Sequence, residues 1–220
     1  MVLADVSIDL TTFTGVSLEQ SGPAPASSTA PFPTSDDGGS DTATTSDIPN
    51  TTTPPFKART FTLVATGDLL VHEYVADMAG FYGSDGSYDF NPMFRRVQPV
   101  LAGADLAICH LETPLSQDNG DLIYYPNFRV PFELADAVGS AGYDGCSVAS
   151  NHSLDAGASG VRATLGHLDR AGVAHAGMAL EEADAEPAWF APGSISVAHL
   201  AYTDIMNGAS LPTDPPWLVA

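Results

Sequence analysis

From Phe61 onward the chain alternates apolar runs with polar turns, and the spacing of those runs predicts strands joined by helices. The stretch FTLVATGD is apolar and β-branched from Phe61 to Thr66 and stops at Gly67 and Asp68, which predicts a buried first strand. Three later stretches, LAGADLAICH, SAGYDGCSVAS and RAGVAHAG, share one order: the end of a helix-period segment, an Ala-Gly pair, then a new apolar run. Gly103, Gly142 and Gly172 fall where a helix needs a left-handed residue before the chain turns into a strand. Helix starts fit upstream, with Asn91-Pro92 as an N-cap and first-turn proline, and Pro131 opening a helix with Glu133 in its first turn. A last strand is predicted from Ile195 to Tyr202. Repeated helix-to-strand junctions imply an α/β domain around a mostly parallel sheet.

Composition divides the chain. Residues 1–58 read as a disordered, acidic leader, dominated from Ser21 to Pro55 by Ser, Thr, Pro, Gly and Asp. Residues 59–220 are long enough for one domain. The stretch LPTDPPWLVA at the end lacks a capping helix, so that domain is expected to be incomplete at its C-terminus. No run reaches the ~20 apolar residues of a membrane span, and the first twenty residues carry no Lys or Arg and no apolar block, unlike a secretory signal.

The formal net charge is −20, from 27 acidic residues against Lys57 and six Arg. Such a surface repels phosphate backbones, which argues against a nucleic-acid partner. Cys109 and Cys146 each close an apolar run and read first as small buried hydrophobes. A bridge becomes feasible where the sheet sets those two runs side by side.

Ligands in open α/β sheets gather beyond the carboxyl ends of the strands. Those positions here hold Asp68 and His72, then His110 and Glu112, then Asn151, His152 and Asp155, and finally Asp204 and Asn207. Carboxylate, imidazole and amide oxygen together suit manganese, iron, magnesium or zinc, and a pair of such ions activates water. Taken singly, an Asp at a strand end is a turn or cap, an Asn-His a turn, and a Glu a surface charge. Their recurrence at successive strand ends argues for a site.

The segment SVASNHSLDAGASGVRATLGHLDRAGVAHAG resembles the signature of the CapA family, proteins of capsule and poly-γ-glutamate synthesis in the metallophosphatase superfamily. ATGDLLVH resembles that family's opening strand, ADLAICHLETPL its second strand, and AYTDIMNGASLP its Tyr-Thr…Asn-Gly turn, so the likeness runs over residues 61–213 in order. The resemblance implies a metallophosphatase-like αββα sandwich, truncated here, at the cell envelope or its outer face. It also implies two divalent metal ions in the complete domain, held in part by Asp68, Glu112 and Asn151, with His152 assisting bond cleavage. His72, His110 and Asp155 stand as further candidates. Implied partners are poly-γ-glutamate or another anionic capsule polymer, and envelope export proteins.

The chain departs from the family pattern in three places. Leu70 occupies the position of the superfamily's usual second ligand, His110 replaces a more common Asn, and nothing after Asn207 resembles the family's later His motifs. This chain alone is therefore expected to hold metal weakly and to be inactive. A metal-dependent hydrolase is the leading reading. A non-catalytic polymer-binding or export scaffold and a general metallophosphoesterase are the alternatives.

Overall fold

The structure is a computed structural model that describes residues 2–4, 59–210 and 218–220. The leader expected over residues 1–58 lies outside those residues except for Val2–Ala4, a short strand β1. Four strands follow: β2 (Leu63–Leu69), β3 (Leu106–Leu111), β4 (Gly145–Ser147) and β5 (Ala174–Ala176). They pair in parallel in the order in which they occur, and β1 lies antiparallel against β2 at the edge.

Helices α1 (Glu73–Tyr82), α2 (Asn91–Phe94) and α3 (Gln98–Leu101) lie between β2 and β3. One helix fills each later crossover, α4 (Glu133–Ala141) before β4 and α5 (Gly157–Ala171) before β5. The expected α/β class, repeated βα units and mostly parallel sheet are all present, in keeping with a metallophosphatase-like fold.

Register explains the layering. Side chains of register partners share a face and alternate faces along the strand. Val64, Ala107, Cys109 and Cys146 share one face, each about 1 % exposed or less, and join Leu134 and Val138 of α4 and Val161, Leu165 and Leu168 of α5 in one core. The other face carries the row Ala65, Ile108, Gly145 and Ala174. An antiparallel ribbon, β6 (Ala188–Phe190) with β7 (Val197–His199), lies over it. A Cβ on Gly145 would come within 2.7 Å of the Phe190 ring, so glycine there lets the ribbon seat on the sheet.

Several local expectations need correction. The predicted strand Phe61–Thr66 begins at Leu63 and continues to Leu69, because a register shift between Ala65 and Asp68 absorbs Thr66 and Gly67 and lets pairing resume. Gly142 and Gly172 are left-handed helix ends (φ 101° and 71°) as predicted, whereas Gly103 is not. After α3 the chain leaves through successive short turns, with Gly103 N–H donating to Val100 O and Ala104 N–H to Leu101 O, so no left-handed residue is required. Asn91 is the first residue of α2, and the Asp89 carboxylate accepts its backbone N–H. The last predicted strand shrinks to Val197–His199 and runs antiparallel in the ribbon.

Cys109 and Cys146 are register partners on β3 and β4, with Cα atoms 4.4 Å apart, and are joined as a disulfide. The neighbouring placement on which a bridge depended is thus realised, in place of two separate buried thiols.

Candidate functional site

The carboxyl ends of β2, β3 and β4 and the segment after β7 open onto a shared cleft of about 500 Å³. Asp68, His110, Glu112, Asn151, Asp204 and Asn207 line it. The register shift in β2 brings Asp68 level with His110 of β3, and His110 Nε2 stands 3.9 Å from Asp68 Oδ1. Asp68 is largely exposed and His110 about a quarter exposed, so this end of the row meets solvent.

Glu112, one residue past β3, is a different kind of carboxylate. Its side chain is 12 % exposed, its Oε1 lies 3.9 Å from His152 Nε2, and its Oε2 is buried with no hydrogen-bond partner. Burial, reinforced by the negative charge of Asp68, raises its pKa above the usual glutamate value. A buried carboxylate oxygen that no donor satisfies is a natural seat for a cation.

The loop after β4 is built from its own side chains. Ser150 Oγ donates to the Glu112 carbonyl at 2.6 Å and accepts the His152 backbone N–H at 2.9 Å, fastening this loop to the end of β3. Ser153 Oγ accepts Ser150 N–H and donates to the Val148 carbonyl, each at 2.8 Å, and the residue is fully buried. Behind the loop, Gly177 (φ 110°) approaches so closely that an added Cβ would lie 2.6 Å from Ala149 Cβ.

His152 is held on three sides. Its Nδ1 lies 2.7 Å from Asp155 Oδ2, which also accepts the Phe128 N–H at 2.7 Å. An ionised carboxylate only accepts, so Nδ1 carries the proton in this contact and Nε2 is directed toward Glu112. The Phe128 ring meets the imidazole edge to face at 4.8 Å, and Asn207 approaches from the third side. Asp155 is thus committed to orienting His152 and is absent from the cleft lining.

His72 sits at the start of α1 against Phe128, 5.4 Å between ring centroids, and does not line the cleft. Its positive form would lower the pKa of Glu112, so its influence there is electrostatic.

The candidates therefore sort by position. Asp68, His110, Glu112 and Asn151 come together along the cleft; His152, His72 and Asp155 stand outside its lining, with His152 Nε2 3.9 Å from Glu112 Oε1. Asp204 and Asn207, placed by sequence at the last strand end without a role, also line the cleft, whereas sequence did not point to Ser150 or Phe128. Ser150 and Phe128 matter through contacts that no local pattern announces.

Among the described residues, no group of three His, Cys, Asp or Glu side chains is arranged to hold a metal ion. The donors present form an oxygen-rich row with one imidazole and one unsatisfied buried carboxylate oxygen. That chemistry fits a hard divalent cation.

Comparison with known proteins agrees with the family resemblance. Two uncharacterized proteins of Sinorhizobium fredii, y4sH and y4uA, are each 30% identical to this chain over 134 residues, which is 58% of the chain and 27% of each relative. The chain spans about a quarter of the length of these curated relatives. The family model described as "Bacterial capsule synthesis protein PGA_cap" matches residues 62–218, the stretch that contains the whole sheet from β2 to β5 and every residue of the cleft. With strand order, cleft and family match all falling on the same residues, the chain belongs to the bacterial capsule synthesis protein family PGA_cap.

Proposed function

We propose that this domain serves capsule synthesis at the cell envelope as a divalent-metal-dependent hydrolase. Its substrate would be a phosphorylated or amide-linked precursor, or an anionic polymer such as poly-γ-glutamate. The observation that carries this reading is the buried, unpartnered Oε2 of Glu112, a residue that lines the same cleft as Asp68 and Asn151 and lies beside a fixed His152.

Asp68, Glu112 and Asn151 would hold the metal. A divalent ion bound there supplies Lewis acidity and lowers the pKa of coordinated water. The protein's own part is positional. Asp155 keeps the His152 proton on Nδ1, so Nε2 points toward Glu112 and would exchange a proton with a group bound beside that carboxylate. Ser150 ties the Glu112 carbonyl to the His152 backbone, so the metal-binding and proton-handling groups keep their spacing.

The Cys109–Cys146 bridge supports an oxidising compartment, consistent with the envelope. No described helix is long and apolar enough to cross a membrane.

One experiment separates this reading from its rivals. Calorimetric titration with manganese, zinc and magnesium is paired with hydrolysis of poly-γ-glutamate and of a chromogenic phosphate ester, using the full-length protein that carries this domain and its double variant Glu112→Ala/Asn151→Ala. Metal binding and polymer cleavage that vanish together in the variant support the proposal. Turnover of the small ester alone marks a general metallophosphoesterase.

A second reading, a polymer-binding or export scaffold on the same fold, is favoured by the lack of a closed three-ligand group among the described residues. Polymer binding with no metal uptake, unchanged in the double variant, identifies it.

A further inference from the structure

Across the cleft from the His152 loop, residues 203–209 present Asn207 to both members of the Asn151-His152 pair. Met206 is buried and anchors the segment. Its carbonyl accepts Ala209 N–H at 2.8 Å, and the two residues between, Asn207 (φ 46°) and Gly208 (φ 89°), both have positive φ. That is the pattern of a type I′ turn, and Asn-Gly is the residue pair that tolerates it best. Asn207 thus projects from a turn whose conformation its own sequence dictates.

Asn207 makes two contacts there. Its Oδ1 accepts from Asn151 Nδ2 at 3.1 Å. An amide whose nitrogen is engaged in this way must turn its oxygen elsewhere, which makes Asn151 Oδ1 the end available to a cation. Its Nδ2 lies 3.1 Å from His152 Nδ1 and 3.3 Å from His152 Nε2. Near-equal distances to both ring nitrogens put the amide off the lone-pair line of either one. Asn207 therefore restrains the ring without occupying the Nε2 lone pair, which Asp155 and Phe128 leave free as well.

We infer that Asn207 is a positioning residue, which sets the amide orientation of Asn151 and the ring plane of His152 from the opposite wall of the cleft. The inference rests on the metal-dependent reading of the site, and it adds that the segment after β7 completes a site otherwise built from β2, β3 and β4.

Two variants test it. Asn207→Gly keeps the positive φ and removes both contacts, and Asn207→Asp keeps an acceptor for Asn151 while losing the amide donor. Manganese titration of the whole chain is expected to show affinity about 10- to 100-fold weaker in Asn207→Gly, the size of effect typical for groups that orient ligands. Asn207→Asp is expected to recover most of it.

NMR relaxation of the His152 imidazole, recorded without metal, should report one fixed ring orientation in the wild type and a ring that reorients in Asn207→Gly, with Nδ1 still protonated in both because Asp155 is untouched. Unchanged affinity and unchanged imidazole signals in Asn207→Gly, with Asn151→Ala still abolishing manganese binding, would overturn the role of Asn207 and leave the metal reading standing. Manganese binding that survives Asn151→Ala, or no manganese binding by the wild type, removes the metal reading instead. The His152 signals then decide the restraint on their own: added ring motion in Asn207→Gly upholds it, and no change overturns it.

Discussion

The two walls of the cleft are built on opposite plans. The Ala149–Asp155 wall is buried or half-buried, and the hydroxyls of Ser150 and Ser153 and the carboxylate of Asp155 tie its backbone together and to Glu112 and Phe128. The Thr203–Ala209 wall is mostly exposed, pinned by one buried side chain, Met206, and by the geometry of an Asn-Gly turn. The first wall holds its shape through packing that any substitution disturbs. The second holds its shape through backbone preference and sends Asn207 to Asn151 and His152. Substitutions should therefore cost folding stability on the first wall and site geometry on the second.

The sharpest way to break that contrast is Gly177→Ala, behind the first wall. Gly177 has φ 110° and no room for a Cβ beside Ala149. Backbone strain and overpacking together should destabilise by about 3–5 kcal/mol, read as a lower urea midpoint. Next comes Ser153→Ala, which leaves Ser150 N–H and the Val148 carbonyl buried and unpaired. About 2–4 kcal/mol is expected from the same measurement.

Glu112 lies between the walls and should respond to pH. Its folded pKa is raised by burial and by Asp68, so the folded state binds the proton more tightly than the unfolded state. Stability then falls as pH rises from the ordinary value of 4.5 through the raised one. Glu112→Gln in a chelator should unfold at a higher temperature than the wild type at neutral pH, and the gap should close below pH 4.5. The smallest effect is expected from Asn207→Gly on the second wall. Its stability should change by no more than about 0.5 kcal/mol, since glycine accepts the turn's positive φ. A large loss of stability in this variant would erase the distinction between the walls.

Order along the chain coincides with order in space at the strand ends. Asp68, Glu112 and Asn151 each follow a strand, and because β2, β3 and β4 are neighbours in sequence order, strand-end residues become cleft neighbours. Gly142 and Gly172 were legible for a local reason, a helix that must reverse. Gly103 looked the same in sequence, but α3 is a single short turn whose exit needs no reversal.

What sequence did not disclose depends on distant contacts. Asp155 is drawn to orient His152 partly because Phe128, 27 residues earlier, offers it a second N–H. Asn207 meets His152 across 55 residues. The ribbon strands β6 and β7 are short and irregular in pattern, and their seat on the sheet depends on the space that Gly145 leaves for Phe190.

The unbroken strand order also bears on how the molecule is made. Each described strand, from β1 through β5, lies beside the one translated just before it. The sheet can therefore grow by accretion as the ribosome extends the chain, each βα unit settling against an edge already in place. No described strand has to be inserted between two that are already paired, so the growing edge stays open to its next strand at each stage of synthesis.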